Sequence, residues 1–141
     1  MVDDDVDDCM LVREAFKEID LPHSLIFLNS GEALLRYLYD HPKNGSPAIL
    51  HPDLIFLDLN MSGKSGHDIL RYIKRDPVTR RIPIIVMTTS SEERDIALSY
   101  ELGASSHITK PASFEELVDV VKALYRYWFE IVTLPERKRG G

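Results

Sequence analysis

The sequence has a single cysteine, Cys9, among 141 residues, and a lone thiol builds no disulfide framework. That usage suits a reducing compartment, so the cytoplasm is the expected location. Basic charge is in deficit: 17 Lys and Arg stand against 23 Asp and Glu, a formal net charge of −6. Nucleic-acid binding needs a basic face, so no nucleic-acid partner is expected. The one basic cluster, Arg137, Lys138 and Arg139, precedes Gly140 and Gly141 and reads as a solvated tail. No apolar run approaches the roughly 18–20 residues of a membrane span, so no membrane partner is expected. The N-terminus carries Asp3, Asp4, Asp5, Asp7 and Asp8, where a secretory leader would carry basic and then apolar residues. The histidines, His23, His41, His51, His67 and His107, show no zinc-ligand spacing, so no transition metal is expected.

What is present is a globular composition, 44% hydrophobic and 28% charged, in a length that suits one domain with a real core. Short apolar runs alternate with amphipathic stretches. Leu25–Leu28, Leu54–Leu57 and Ile84–Met87 are continuous apolar runs, with a briefer one near 106–109. Helical spacing marks residues near 6–20, a stretch through Leu34, Tyr37 and Leu38, another through Ile69, Leu70 and Ile73, then 91–102, and a last helix after Pro111 to about 131. His41–Pro52, with three prolines and a glycine, reads as a loop. Ser65 with Asp68, Ser90 with Glu93, and Ser113 with Glu116 have the spacing of capping boxes. Strands with helices between them imply βαβ units, and continuous apolar strands imply a parallel sheet covered on both faces. The expectation is an α/β, doubly wound, five-stranded parallel sheet with five helices.

Such a sheet carries its functional site at the carboxyl ends of the strands. Asp3 and Asp4 follow the first apolar residues, Asp58 follows the middle run, Thr88 the next and Lys110 the last. Three carboxylates held together repel and attract a cation. All-oxygen ligands suit Mg²⁺. A lysine and a hydroxyl opposite suit the oxygens of a phosphoryl group. The residues alone therefore point to a Mg²⁺-dependent phosphoryl site.

The sequence resembles the response-regulator receiver domains of two-component signalling. The matching residues are Val2-Asp3-Asp4-Asp5, Leu57-Asp58-Leu59-Asn60-Met61 with Gly63 and Gly66, Val86-Met87-Thr88-Thr89-Ser90, Gly103-Ala104 and Lys110-Pro111. The intervals agree as well, 30 residues from Asp58 to Thr88 and 22 from Thr88 to Lys110. The resemblance implies a flavodoxin-like strand order 2-1-3-4-5. It implies that Asp58 accepts a phosphoryl group from a sensor histidine kinase, and that Asp4, Asp58 and the backbone carbonyl of Asn60 bind Mg²⁺ while Asp3 holds a coordinated water. It implies that Lys110 pairs with the phosphoryl group, that Thr88 donates a hydroxyl to it, and that the Lys110–Pro111 bond is cis. His107 stands where the family has a rotating Tyr or Phe; it is a switch residue or a packing residue. The loop at 41–52 and the ending Tyr127-Trp128-Phe129-Glu130-Ile131-Val132-Thr133-Leu134-Pro135 resemble the stand-alone regulators that partner bacterial phytochromes.

Two departures stand out. The resemblance implies four or five apolar residues before the acidic pair, and only Met1 and Val2 precede it, so residues upstream of Met1 are expected. Ser62 replaces the usual proline after Met61, which is expected to loosen that loop. The receiver is expected over 1–131 and a tail over 132–141. With no output domain in the 141 residues, the expected output is protein binding or onward relay of the phosphoryl group. On the last helix Phe114, Leu117, Val118, Val121, Leu124, Tyr125 and Trp128 mark a core face. Val120, Ala123, Tyr127 and Ile131 mark a second stripe, from which a homodimer is expected, with Phe129–Pro135 across its seam; the alternative is a tail folded onto its own domain.

Three competing readings are weaker. Asp3, Asp5, Asp7 and Glu14 have calcium-loop spacing, but Asp8 occupies the required glycine position. A haloacid-dehalogenase-type phosphatase needs Asp-x-Asp-x-Thr or Val, and Asp7 stands at the fifth position of Asp3-Asp4-Asp5-Val6-Asp7. A scaffold that merely imitates a receiver would not need the complete polar set. No enzyme with an external substrate is expected.

Overall fold

The structure, a computed structural model, describes residues 1–20, 23–40, 51–63 and 65–136. Most of the loop expected at 41–52, and the basic cluster at 137–139, lie outside the described residues. Three strands form the regular sheet: β1 (Ile55–Leu57), β2 (Ile84–Thr88) and β3 (Ser106–Thr109), all parallel. Two further extended segments join through single parallel bridges, Val2 to Leu57 and Val2 to Leu28. The spatial order is therefore Leu28, Val2, β1, β2, β3, the expected doubly wound order. The two outer members have little length, because only Met1 and Val2 precede the acidic residues and pair on both sides.

Five helices connect these strands: α1 (Val6–Glu18), α2 (Gly31–Tyr39), α3 (Gly66–Arg75), α4 (Glu93–Glu101) and α5 (Phe114–Tyr125). A π-helical turn, Arg126–Ile131, extends the last one. All five residues of β2 are buried, as continuous apolar strands require. Alternation along the strands divides the core in two. Ile55, Leu57, Ile84 and Val86 pack with Leu34 and Leu38 of α2 and Ile69, Leu70 and Ile73 of α3. Phe56, Ile85 and Met87 pack on the other face with Val12 and Ala15 of α1 and Leu117 and Val121 of α5. Each such apolar side chain contributes about 1.5–3 kcal/mol on burial.

Two of the three expected serine caps form and one does not. Ser65 Oγ accepts from the Asp68 amide at 3.2 Å, and Ser113 Oγ from the Glu116 amide at 3.1 Å. Helix α4 starts at Glu93 after Glu92, which makes no side-chain cap, so Ser90 is not its N-cap. The Ser90 hydroxyl instead donates to Asp95 Oδ2 at 2.6 Å, while its oxygen accepts from the Glu92 amide at 3.4 Å, ahead of the helix. Ser30 caps α2 and Asp5 caps α1. Gly103, with φ 102°, ends α4: its neighbour's amide, that of Ala104, donates to Ser99 O at 3.0 Å, which closes the turn and starts the run into β3.

The last helix follows its core face in part. Leu117 and Val121 are buried and Val118, Leu124 and Trp128 pack against the core, but Phe114 is exposed. Val120 of the second stripe also packs against the core, while Tyr127 and Ile131 remain 50% and 62% exposed. The tail begins against its own domain rather than projecting: the Phe129 ring lies 4.3 Å from that of His23 and 5.3 Å from that of Tyr125. Pro135 and Glu136 then run beside His51, Pro52 and Pro83. Beneath Met1 a cavity of about 400 Å³ is lined by Leu25, Ile26, Leu54, Ile55, Tyr125 and Phe129. The Met1 ammonium donates to Ile26 O at 2.7 Å, and burial lowers its pKa to about 6.

Candidate functional site

The sheet brings the expected polar residues to one edge. Asp3 follows Val2, Asp58 follows β1, Thr88 ends β2 and Lys110 follows β3. The Lys110 amide donates to Thr88 O at 2.7 Å, so the last ladder bond carries the lysine to the site. Asp3, Asp4 and Asp58 each offer a carboxylate oxygen, all within 4.8 Å of one another. Asp3 and Asp58 are buried and Asp4 is exposed. Burial raises the pKa of Asp3, against the opposing hydrogen bond from Lys110. Asp4 moves the other way, its carboxylate held low by the Ser62 backbone amide. A buried carboxylate with two acidic neighbours is a site that a cation stabilises, and the all-oxygen donor set suits a hard divalent ion.

Lys110 is the counterweight. Its Nζ donates to Asp3 Oδ2 at 2.9 Å and to Asp58 Oδ2 at 3.3 Å. Its shortest contact, 2.5 Å, is to Asp8 Oδ2 on the first turn of α1. An acid at a helix start ordinarily faces solvent, but Asp8 reaches the lysine from the rim of the site. Hydrogen bonds from Asp8 and Asp3 raise the lysine pKa despite its desolvation.

The lysine reaches these carboxylates through a trans peptide. Among the described residues no peptide bond is cis, so the expected cis Lys110–Pro111 bond is corrected. The side chain spans the distance by itself, with its amide still in the ladder, and trans is the lower-energy isomer. Ser62 is a second correction. Its amide and hydroxyl both donate to Asp4 Oδ2, at 2.9 and 3.1 Å. A proline has no amide hydrogen to give, so serine ties this loop to the acidic pair rather than loosening it.

Thr88 is fully buried, and its Oγ1 accepts from Asn60 Nδ2 at 3.3 Å. The Asn60 amide donates to Asp58 Oδ1 at 3.2 Å. Gly66 packs behind this loop, where a Cβ would stand 2.4 Å from Asp58 O; no side chain fits there. His107 lies inward between β3 and α4. Its Nε2 faces Ser90 O at 3.2 Å, and a carbonyl only accepts, so that nitrogen carries a hydrogen. Its Nδ1 lies 3.1 Å from Ser99 Oγ, which His67 Nε2 also approaches, at 3.2 Å. Ser99 and His67 carry no sequence signal for this network, since helix spacing alone does not rank a buried serine.

The arrangement is a buried carboxylate flanked by two further carboxylates, an ammonium and a hydroxyl. The family pattern described as the response regulator receiver domain matches residues 1–122. The chain belongs to the response-regulator receiver family. This family acts as a phosphoacceptor switch. The receiver is 38% identical over 136 residues to the response regulator Rcp1 of Synechocystis, covering 96% of this chain and 90% of that protein. It resembles the crystal structure of the phosphorylated cyanobacterial phytochrome response regulator RcpA, with TM-score 0.84, 37% identity, and coverage of 96% and 95%. It also resembles the Mn²⁺-bound form of Rcp1, with TM-score 0.83, 38% identity, and 96% of each chain covered. Those relatives bear out the stand-alone receiver resemblance. Among the described residues no helix is long and apolar enough to cross a membrane.

Proposed function

We propose that this receiver takes a phosphoryl group onto Asp58 from a sensor histidine kinase of the bacterial phytochrome class. The observation that carries the reading is the convergence of Asp3, Asp4, Asp58 and Lys110 within hydrogen-bonding or ligating reach at the strand ends. An Asp58 carboxylate oxygen attacks phosphorus as the donor's bond from imidazole nitrogen to phosphorus breaks. The imidazole leaves and takes up a proton. The phosphoryl group adds about −1.5 to −2 charge, which the site has to neutralise. Lys110 supplies an ammonium already aimed at Asp58. Thr88 supplies a hydroxyl that exchanges its Asn60 contact for a phosphoryl oxygen. Asp3, Asp4, Asp58 and the Asn60 carbonyl would hold Mg²⁺, which supplies positive charge to the phosphoryl oxygens when bound. The test is phosphotransfer from autophosphorylated kinases, phytochrome kinases among them, with Mg²⁺ and after its removal by chelation. Equal transfer under both conditions would count against the site.

The protein acts as a switch rather than an enzyme, with residues 1–131 as the receiver and 132–141 as the tail, in the cytoplasm. A phosphatase remains the alternative, and turnover of a small phosphomonoester is the result that favours it. The output is binding to a downstream protein or onward phosphorelay. His107 reports the state: the Thr88 shift repositions the Ser90 loop, whose carbonyl faces the His107 ring. Its imidazole NMR resonances are expected to move on phosphorylation, and unmoved resonances would remove it from the switch. A homodimer through α4, β3 and α5 is supported by the exposed Tyr100, Tyr127 and Ile131. Phe129 packs at home, so the seam is expected to use Tyr127 rather than the tail. Sedimentation at micromolar concentration should show a dimer that Tyr127→Asp dissociates; a monomer in both phosphorylation states ends the proposal.

A further inference from the structure

An ammonium has three hydrogens to donate, and Lys110 directs them at three carboxylates: Asp3, Asp58 and Asp8. Two of those carboxylates belong to the cation and phosphoryl site. The third does not. Asp8 stands on the first turn of α1, 102 residues away in sequence, with its side chain 29% exposed at the rim of the site. Its ordinary role would be to complement the helix dipole, which needs no partner. The short contact to Lys110 goes beyond that role.

We propose that Asp8 is a positioning residue for Lys110, taking up one ammonium hydrogen at the rim while the others reach Asp3 and Asp58. The consequence follows from charge. Without the Asp8 carboxylate, Lys110 retains two partners, and both are cation ligands. The ammonium then shifts further onto those two carboxylates, and its charge competes more strongly with a divalent ion for them. Asp8 offsets the lysine charge from outside, and so keeps the acidic group available to the metal while the lysine stays close to Asp58.

This inference rests on the phosphoryl-site reading and adds Asp8 to it. Calorimetric titration of Mg²⁺ into the full chain tests it without any phosphoryl transfer. Asp8→Asn is expected to weaken Mg²⁺ binding roughly tenfold, acting through the lysine. Asp7→Asn removes the same charge from the neighbouring exposed position on the same helix turn, and should leave binding nearly unchanged. Asp8→Glu should restore most of the affinity. In a Lys110→Met background, Asp8→Asn should have no further effect. An equal loss in Asp7→Asn would reduce Asp8 to general acidity and overturn the proposal. So would unchanged affinity in Asp8→Asn, or an undiminished effect without the lysine. A wild-type chain that binds no Mg²⁺ at all would instead count against the site itself.

Discussion

Asp58→Asn is expected to abolish acid-labile phosphoryl labelling, to background and under every donor. The substitution is nearly isosteric, so the loop is retained: an amide oxygen can still accept from the Asn60 amide that now donates to Asp58 Oδ1 at 3.2 Å. What is lost is the anionic nucleophile, and no neighbour replaces it. Asp3 is nearest in chemistry, but it is buried, raised in pKa by that burial and bonded to Lys110. Asp4 is exposed, yet its Oδ2 is bound by Ser62. Neither is placed to attack with Lys110 and Thr88 opposite. Intact-mass measurement after incubation with a small phosphodonor and Mg²⁺ checks this: the wild type gains one phosphoryl group and the variant none. Label that persists, mapped to another aspartate, would move the phosphoacceptor.

The strand-end residues were legible because a buried parallel strand is a run of apolar residues, and the first polar residue after it marks the functional edge. Asp58 and Thr88 are each found by that rule alone, whereas Lys110 follows Ser106-His107-Ile108-Thr109, a strand that is not an apolar run. The outer strands were less legible as structure: Val2 is a strand only because Leu28 and Leu57 flank it, a tertiary fact. Asp8 was missed because an acid on a first helix turn has three equivalent explanations in sequence, namely dipole, solvent and ion pair. Only the fold brings Lys110 to it. The cap at Ser90 failed for a related reason. A serine at cap spacing caps only if the helix starts just after it, and α4 starts at Glu93, so the Ser90 hydroxyl donates to Asp95 instead. Ser62 shows the reverse error. The loss of a proline was weighed as lost stiffness, when the amide hydrogen it frees makes a bond to Asp4 that proline cannot make.

Replacing Lys110 should cost more stability than any other single change at the site, and the loss should depend on pH and metal. Lys110→Ala leaves Asp3 with a side chain 0% exposed and Asp58 at 5% without their shared counter-ion. Breaking a buried pair from one side costs about 3–5 kcal/mol, because the remaining charge stays buried. In a domain of this size that lowers the thermal midpoint by roughly 10 °C. The sign with pH follows from Asp3. Its folded-state pKa lies above the unfolded value, so folding disfavours the charged form, and the penalty is largest once the pH exceeds the folded pKa. Without the lysine hydrogen bond that opposes the rise, the penalty extends to higher pH. Acidification through the folded pKa protonates Asp3 and removes the penalty, so the variant's deficit against wild type should shrink as the pH is lowered from neutral into the acidic range. At pH 7 a saturating divalent ion should recover much of the same deficit, since it supplies the missing charge between the same carboxylates. Thermal unfolding of both proteins at neutral and at acidic pH, with the ion and with chelator, measures all of this. A deficit of constant size across the four conditions would mean that Lys110 acts by packing its stem, and that the charges it touches do not set the stability of the site.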